Sequence, residues 1–403
     1  MRILHTSDWH LGRTLYSKKE RTEEHIAFFN WLITTIIEQS IEVLIIAGDI
    51  FDTSSPNITS QKLYYDFLIE VRNTSCKHIV IVGGNHDSPS FLNAPKTILS
   101  ALQISIIGNA TEDLQDEIVV IHSEKKDVGL IICGVPFLRE RDISRFVEGE
   151  LYSDRSKRIN ESIKNHYAEI ARLAEQKKAE LGGNYPIIAT GHMSVVGGNR
   201  NEDDGVRETY VGGIEAIDSS MFPTSFDYVA LGHYHIPSVI QDHIRYCGSP
   251  IPMGFGEAKQ TKCVFIIDFT TGRSIEKIVI PTFQHLESIA GSKSDIETRL
   301  HELKKIDESV WIEIIYQGDE LFPDLIPWIN ELIVDSKLEV LKVQNKQQNQ
   351  EVLSQQDVSV SLDELNPYDV FTIFLEKSTI SENQKEDLTI IYKEVIDSIT
   401  LKD

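Results

Sequence analysis

The chain's 403 residues exceed what one hydrophobic core usually organises, and its composition, 41% hydrophobic and 25% charged, is ordinary for a globular protein. With 62 Asp and Glu against 39 Lys and Arg, the formal net charge of −23 excludes a surface that binds nucleic acid over its whole extent. No apolar run approaches the roughly 18 residues of a membrane-spanning helix, so no membrane association is expected.

The opening Met1-Arg2-Ile3-Leu4-His5 reads as the approach to a short strand, Ile3–Thr6, and lacks the charged and apolar regions of a signal peptide. Thr22–Gln39 carries Ile26, Phe29, Leu32, Ile33, Ile36 and Ile37 at helical spacing. Val43–Ala47 is a continuous apolar run closed by Gly48-Asp49, the pattern of a strand buried on both faces. A helix over about Ser60–Arg72 leads to another such strand, Ile79–Val82, which ends in Gly83-Gly84-Asn85. This β-α-β-α-β alternation predicts a parallel core with right-handed crossovers. Further strands are expected at Ile118–Ile121, Gly129–Cys133, Pro186–Thr190, Tyr228–Leu231 and Val264–Phe269, with a long polar helix at about Ser156–Leu181.

After Pro281 the pattern changes. Val310–Tyr316 and Leu338–Val343 are strand-like and Pro323–Leu332 is helical. Residues 344–359 are polar without periodicity and read as a linker. Two helical patterns follow, Tyr368–Leu375 and Glu382–Ile399, the second with Leu388, Ile391, Val395 and Ile399 on one face. Residues 301–403 hold 22 acidic and 9 basic residues, so −13 of the −23 lies in the last quarter. Cys76, Cys133, Cys247 and Cys263 lack metal-type spacing and fit cytosolic thiols better than disulfides.

Five short motifs close strands with metal-type ligands: Asp8-Trp9-His10, Gly48-Asp49-Ile50-Phe51-Asp52, Gly83-Gly84-Asn85-His86-Asp87, Gly191-His192 and Gly232-His233-Tyr234-His235. The carboxyl ends of strands in a covered α/β sheet are where ligands bind, so these motifs should converge on one edge. Alternate residues of an extended segment share a side, which pairs Asp8 with His10 and His233 with His235. Carboxylate, imidazole and amide oxygen together favour Mn, Fe or Zn over the oxygen-only sites of Ca and Mg. One carboxylate, Asp49, could bridge two ions about 3.5–4 Å apart. Each motif alone also reads as a turn or a structural histidine. Five of them at strand ends are hard to explain as packing, because buried polar groups need partners.

The order D-x-H, GD-x-x-D, GNHD, GH and GH-x-H resembles the calcineurin-like metallophosphoesterase superfamily. Longer strings narrow the resemblance to its bacterial nuclease-subunit branch: Ile3-Leu4-His5-Thr6-Ser7-Asp8-Trp9-His10-Leu11-Gly12, Tyr228-Val229-Ala230-Leu231-Gly232-His233, Tyr246-Cys247-Gly248-Ser249-Pro250 and Phe255-Gly256-Glu257-Ala258. The resemblance implies a four-layer α/β sandwich of two mixed sheets flanked by helices, with a small α+β capping domain and a C-terminal helical tail. The implied boundaries are 1–281 for the nuclease domain, 282–345 for the DNA-guiding cap, and 346–403 for a linker and helices that bind the coiled-coil base of an SMC-like ATPase.

By the same resemblance Asp8, His10, Asp49 and His235 hold one metal, and Asp49, Asn85, His192 and His233 hold the other. The pair is expected to be two Mn²⁺, with Mg²⁺ as an alternative. His86 is implied to face the scissile phosphate without binding metal. Asp52 stands where archaeal and eukaryotic relatives carry a histidine and bacterial ones an aspartate, and its role is open. The implied activity is two-metal phosphodiester hydrolysis: 3′-to-5′ exonuclease on duplex ends and endonuclease on single strands and hairpins, serving DNA repair, recombination and replication. A homodimer of nuclease subunits in a heterotetramer with the ATPase, cytoplasmic and nucleoid-associated, completes the expectation.

Arg139, Arg141 and Arg145, or Lys18, Lys19 and Arg21, could touch DNA phosphates, although solvated surface charge is the plainer reading of each. The rival activities are a phosphatase or small-nucleotide phosphodiesterase of the same superfamily, or a non-catalytic scaffold for the ATPase. Thr53-Ser54 after Asp52, where protein phosphatases show Arg-Gly, argues against the first. The filled ligand set argues against the second.

Overall fold

The computed structural model describes residues 1–123, 128–144, 152–197, 217–318, 322, 324–345 and 392. The chain divides into one compact unit of Met1–Gly318 with Phe322–Gln344 and a second of Asp319–Leu321 with Asn345–Asp403. Arg145 and the expected linker and terminal helices over 346–403 lie outside the described residues, apart from Tyr392.

Two six-stranded mixed sheets form the first unit's centre. One runs in the order Ser274–Val279, Cys263–Asp268, Arg2–Thr6, Val43–Ala47, His78–Val82, Ile104–Ile107. From Arg2–Thr6 onward its neighbours pair in parallel. The other runs Ser238–Gln241, Ile244–Tyr246, Tyr228–Gly232, Ile187–His192, Val128–Cys133, Ile118–His122. Because strand side chains alternate, each apolar run splits between two cores. Ile3, Val43, Ile45, Val80 and Val82 meet Leu130, Ile132, Ile188, Tyr228 and Ala230 between the sheets. Leu4, Leu44, Ile46, Ile79 and Ile81 face outward onto helices Thr22–Glu38 and Ile58–Arg72. Ile131, Ile187, Ala189 and Val229 face outward on the other side, onto helix Tyr152–Leu181. The result is the four-layer sandwich that the resemblance implies.

Local chemistry sets the helix starts. Asn57 accepts the amide of Ser60 at 2.8 Å to cap the second helix, and Ser292 with Asp295 forms a capping box for Lys293–Lys304. The first helix differs from its sequence stripe. Phe28, Phe29, Leu32 and Ile36 face the core, whereas Ile26 and Ile37 are exposed, as are Ile58 and Ile69 on the second helix.

Edge strands Ile104–Ile107, Ser238–Gln241 and Ser274–Val279, and the internal strand Ile244–Tyr246, go beyond the strands expected from the sequence. Ser274–Val279 is mostly exposed, carries as many polar as apolar residues, and pairs antiparallel with Cys263–Asp268. Residues His285–Gly291, Val310–Tyr316 and Leu338–Asn345 form a separate three-stranded sheet beside helices Lys293–Lys304 and Leu325–Ile333. Its Leu286, Trp311 and Leu341 pack with Leu15 and Phe255 of the sandwich.

Lys18, Lys19 and Arg21 sit at this same contact: Arg21 is buried, Lys19 is half-buried and Lys18 remains exposed. Lys18 donates to Leu341 O at 2.6 Å, and Lys19 lies within salt-bridge distance of Glu339. Arg21 is buried against Glu24 and donates to Pro252 O at 2.6 Å. Among the described residues no helix is long and apolar enough to cross a membrane. All four cysteines are buried free thiols.

Candidate metal centre

All eight predicted site residues meet where the carboxyl ends of the two sheets face each other. Asp8 and His10 follow strand Arg2–Thr6, Asp49 follows Val43–Ala47, and Asn85 and His86 follow His78–Val82. From the second sheet, His192 ends Ile187–His192, and His233 and His235 follow Tyr228–Gly232. The first two loops continue the strand pairing past the sheet edge: Asp8 N donates to Gly48 O at 3.0 Å, His10 N to Asp49 O at 3.0 Å and Leu11 N to Ile50 O at 2.9 Å. Asp8, His10 and Asp49 hold φ of 54°, 49° and 50°, a left-handed conformation that costs about 1–2 kcal/mol per residue. Such strain persists only where surrounding structure over-determines it, and it clusters at functional sites.

Two glycines make the approach possible. A Cβ on Gly48, whose φ is +89°, would lie 2.3 Å from His192 Nδ1. A Cβ on Gly84 would lie 2.1 Å from Asp49 Oδ1.

The donor atoms converge closely. His10 Nε2 lies 3.1 Å from His235 Nε2 and 3.6 Å from Asp49 Oδ2. His192 Nε2 lies 3.2 Å from Asp49 Oδ2 and 3.0 Å from Asn85 Oδ1, which is in turn 3.3 Å from His233 Nδ1. Asp8, His10 and His235 each offer one atom within 4.8 Å of the others, as do Asp8, Asp49 and His192. His10, Asp49 and His86 form a third such group, so His86 stands within reach of the ligand set it was expected to lie outside. Its Nδ1 donates to Asp52 O at 2.8 Å and its backbone N donates to Asp49 Oδ1 at 2.9 Å.

These residues fit divalent cations. Asp8 and Asp49 are buried carboxylates that need positive charge or hydrogen bonds nearby. Burial works against charge on His192, but the Asp49 and Asp8 carboxylates outweigh it and push the imidazole up to about 9. Burial likewise opposes charge on Asp49, and His192, His10 and His86 hold its carboxyl well below the usual range. Burial instead holds His10 and His233 below the ordinary imidazole value, which leaves them neutral and able to ligate. His192 Nδ1 donates to Ala47 O at 2.9 Å, which fixes the ring with Nε2 toward the cluster, as a metal-ligating histidine requires.

Several partners in the site were not legible in sequence. Asp87 accepts the amides of Gly84 at 2.8 Å, Phe51 at 3.0 Å and Ile50 at 3.2 Å, and so ties the second loop to the third. Burial and the charge of Asp49 push its carboxyl up to about 6. Asp52 lies 3.3 Å from His10 Nδ1 and 3.0 Å from Arg13 Nη1. Arg139 donates to Asp87 O at 3.0 Å and rests over the Phe137 ring, holding the third loop. Trp9 packs beneath the site against Phe29 and Phe67, at ring separations of 4.9 and 5.2 Å.

Residues 1–237 match the Calcineurin-like phosphoesterase family, and residues 282–379 match the Type 5 capsule protein repressor C-terminal domain family. Among similar proteins, the SbcD component of the nuclease SbcCD from Escherichia coli strain K12 is 34% identical over 403 residues, covering 97% of both chains. The SbcD component from Bacillus subtilis strain 168 is 30% identical over 332 residues, covering 80% of both. That of Rhodobacter capsulatus is 30% identical over 288 residues, covering 70% of this chain and 69% of the relative.

Proposed function

The chain belongs to the calcineurin-like phosphoesterase family, among the SbcD components of SbcCD nucleases, and from that membership we infer a metal-dependent DNA nuclease that acts with an SbcC-like SMC ATPase. The observation that carries the reading is the convergence of Asp8, His10, Asp49, His192, His233 and His235, all buried, with the half-buried Asn85 at the meeting of two sheet edges. Asp8, His10, Asp49 and His235 would hold one cation, and Asn85, His192 and His233, together with Asp49, would hold a second. Mixed nitrogen and oxygen donors suit Mn, Fe or Zn, and among these the resemblance points to Mn²⁺, with Mg²⁺ as an alternative.

When bound, two such ions supply charge for the phosphate oxygens and lower the pKa of a water. The protein's own groups do the rest. Asp49 and Asp87 fix the loops on which the donors stand. His86, with Nδ1 committed to Asp52 O, directs Nε2 toward the phosphate and holds a proton for the leaving oxygen. Asp52 holds the ring of His10 from behind. The substrates proposed are duplex ends, cut 3′ to 5′, and single strands and hairpins, in DNA repair, recombination and replication in the cytoplasm at the nucleoid. Residues 1–281 carry the chemistry, 282–345 guide DNA, and 346–403 bind the ATPase. The exposed Ile26, Ile37, Ile58 and Ile69 are apolar surface suited to a homodimer of nuclease chains within a heterotetramer.

The test is cleavage of labelled duplex, single-stranded and hairpin DNA by the purified protein with Mn²⁺ or Mg²⁺, beside p-nitrophenyl phosphate. Metal-dependent cutting of DNA, abolished by chelator, is expected. Turnover of the small ester alone would replace the nuclease with a phosphatase. Truncation after residue 345 should leave single-strand cutting intact and remove binding to the ATPase. A truncated protein that still binds the ATPase would refute the role given to the tail.

A further inference from the structure

Glu257 is fully buried, lies outside the five ligand motifs, and belongs to a short turn, Phe255–Glu257. A buried carboxylate needs a reason. Its Oε1 lies 3.6 Å from His235 Nδ1, while the other ring nitrogen, Nε2, points at His10 Nε2 across 3.1 Å. The ring thus has the cluster on one side and a carboxylate on the other.

Oε2 of Glu257 is held separately. It accepts Met253 N at 3.0 Å and forms a close ion pair with Lys262 Nζ. Lys262 is itself buried, and its Nζ also donates to His235 O at 2.9 Å and to Ser249 Oγ at 3.0 Å. Ser249 N donates to His235 O at 3.1 Å. The network therefore holds the backbone of His235 and leaves Glu257 Oε1 facing the ring nitrogen across 3.6 Å, beyond hydrogen-bond length.

We propose that Glu257, clamped by Lys262, is the positioning residue that orients His235 toward the first cation. It rests on the reading of His235 as a metal ligand. A carboxylate behind a ligating imidazole fixes its tautomer, turns the ring and raises its basicity. Asp52 stands in the same relation to His10, so both histidines of the first position have a carboxylate at Nδ1. His192 of the second position has a backbone carbonyl at Nδ1 instead. The two positions therefore depend on different supports, and loss of Glu257 falls on one of them.

The experiment counts metal. Full-length Glu257→Gln, Glu257→Asp and His235→Ala are stripped with chelator, melted, and titrated with Mn²⁺ by calorimetry and by electron paramagnetic resonance. Glu257→Asp keeps the charge for Lys262 and withdraws the carboxylate from the ring, so it remains informative where the Gln variant folds poorly. Both Glu257 variants are expected to bind Mn²⁺ at one position as wild type does and at the other roughly 10–100-fold more weakly, the usual effect of losing such a partner. The melting temperature of the stripped Asp variant should stay near wild type, and raising Mn²⁺ should restore its nuclease activity. Two wild-type affinities in Glu257→Asp, with His235→Ala losing one ion, would overturn the role of Glu257 alone. Two ions retained by His235→Ala would overturn the ligand reading of His235, and the role of Glu257 with it.

Discussion

Substituting Gly84 by Ala probes the site without touching a donor atom. An ideal Cβ there would sit 2.1 Å from Asp49 Oδ1 and 2.3 Å from Asp49 N, where Cβ atoms keep at least 3.0 Å from their neighbours. Asp49 must therefore withdraw by about 0.9 Å. It cannot do so freely, because its Oδ1 accepts His86 N at 2.9 Å, its backbone O accepts His10 N at 3.0 Å, and its Oδ2 faces His192 Nε2 at 3.2 Å. The overlap should cost roughly 1–3 kcal/mol of stability, the usual range for overpacking. The three hydrophobic clusters of the sandwich do not include this turn, so the protein should still fold. A displacement near 1 Å at a reacting centre costs about 10²-fold in rate, and that is the loss expected in DNA cleavage at saturating Mn²⁺. Calorimetric melting of the stripped protein and single-turnover cleavage of labelled DNA measure the two effects. Gly84→Ala with wild-type metal affinity and wild-type rate would show that Asp49 is not held where the geometry puts it, and would refute the reasoning.

Asp49→Ala removes the carboxylate shared by both ligand groups, so elemental analysis should find both ions reduced, and loss of only one would exclude bridging. His86→Ala should keep both Mn²⁺ ions and DNA affinity while cleavage falls by about 10², the scale of a proton-transfer group; a metal-depleted variant would make His86 a ligand, as its place beside His10 and Asp49 allows. His25 is buried with Nε2 donating to Trp9 O at 2.7 Å, and burial holds its imidazole at about 4, below its ordinary 6.5. The unfolded chain binds that proton first, so the stability is complete above pH 6.5 and is lost as pH falls from 6.5 to about 4, by roughly 3 kcal/mol in all. His25→Gln, able to donate to the same carbonyl, should flatten the slope of denaturant-unfolding free energy by about 1.4 kcal/mol per pH unit in that window, and an unchanged slope would assign the acid sensitivity to other groups.

The ligand inventory was legible in the sequence because it obeys a one-dimensional rule. An apolar run closed by Gly and a donor residue marks a strand's carboxyl end, and ends of parallel neighbours share an edge. That rule grouped Asp49 with Asn85 on one sheet and His192 with His233 on the other, while the facing of the two sheet edges that joins them, where one edge was expected, is tertiary. The sequence also determined the two-core layering, since continuous apolar runs such as Val43–Ala47 must be covered on both faces. Edge strands escaped it, because Ser274–Val279 owes its conformation to a hydrogen-bonded neighbour and not to its own pattern.

Tertiary structure alone decided which charges are spent inside the protein. Arg21, Glu24, Glu257 and Lys262 carry no mark of burial in their spacing, yet each is buried. The reason is electrostatic: a buried charge is tolerable only beside its partner, and the partner's nearness is a property of folding the chain back, not of spacing along it. Glu257 and Lys262 are five residues apart, but the group they serve, His235, is 22 residues earlier. The same holds for the left-handed backbone at Asp8, His10 and Asp49. No residue type dictates it there, and only the pairing of two adjacent loops past the sheet edge holds it in place.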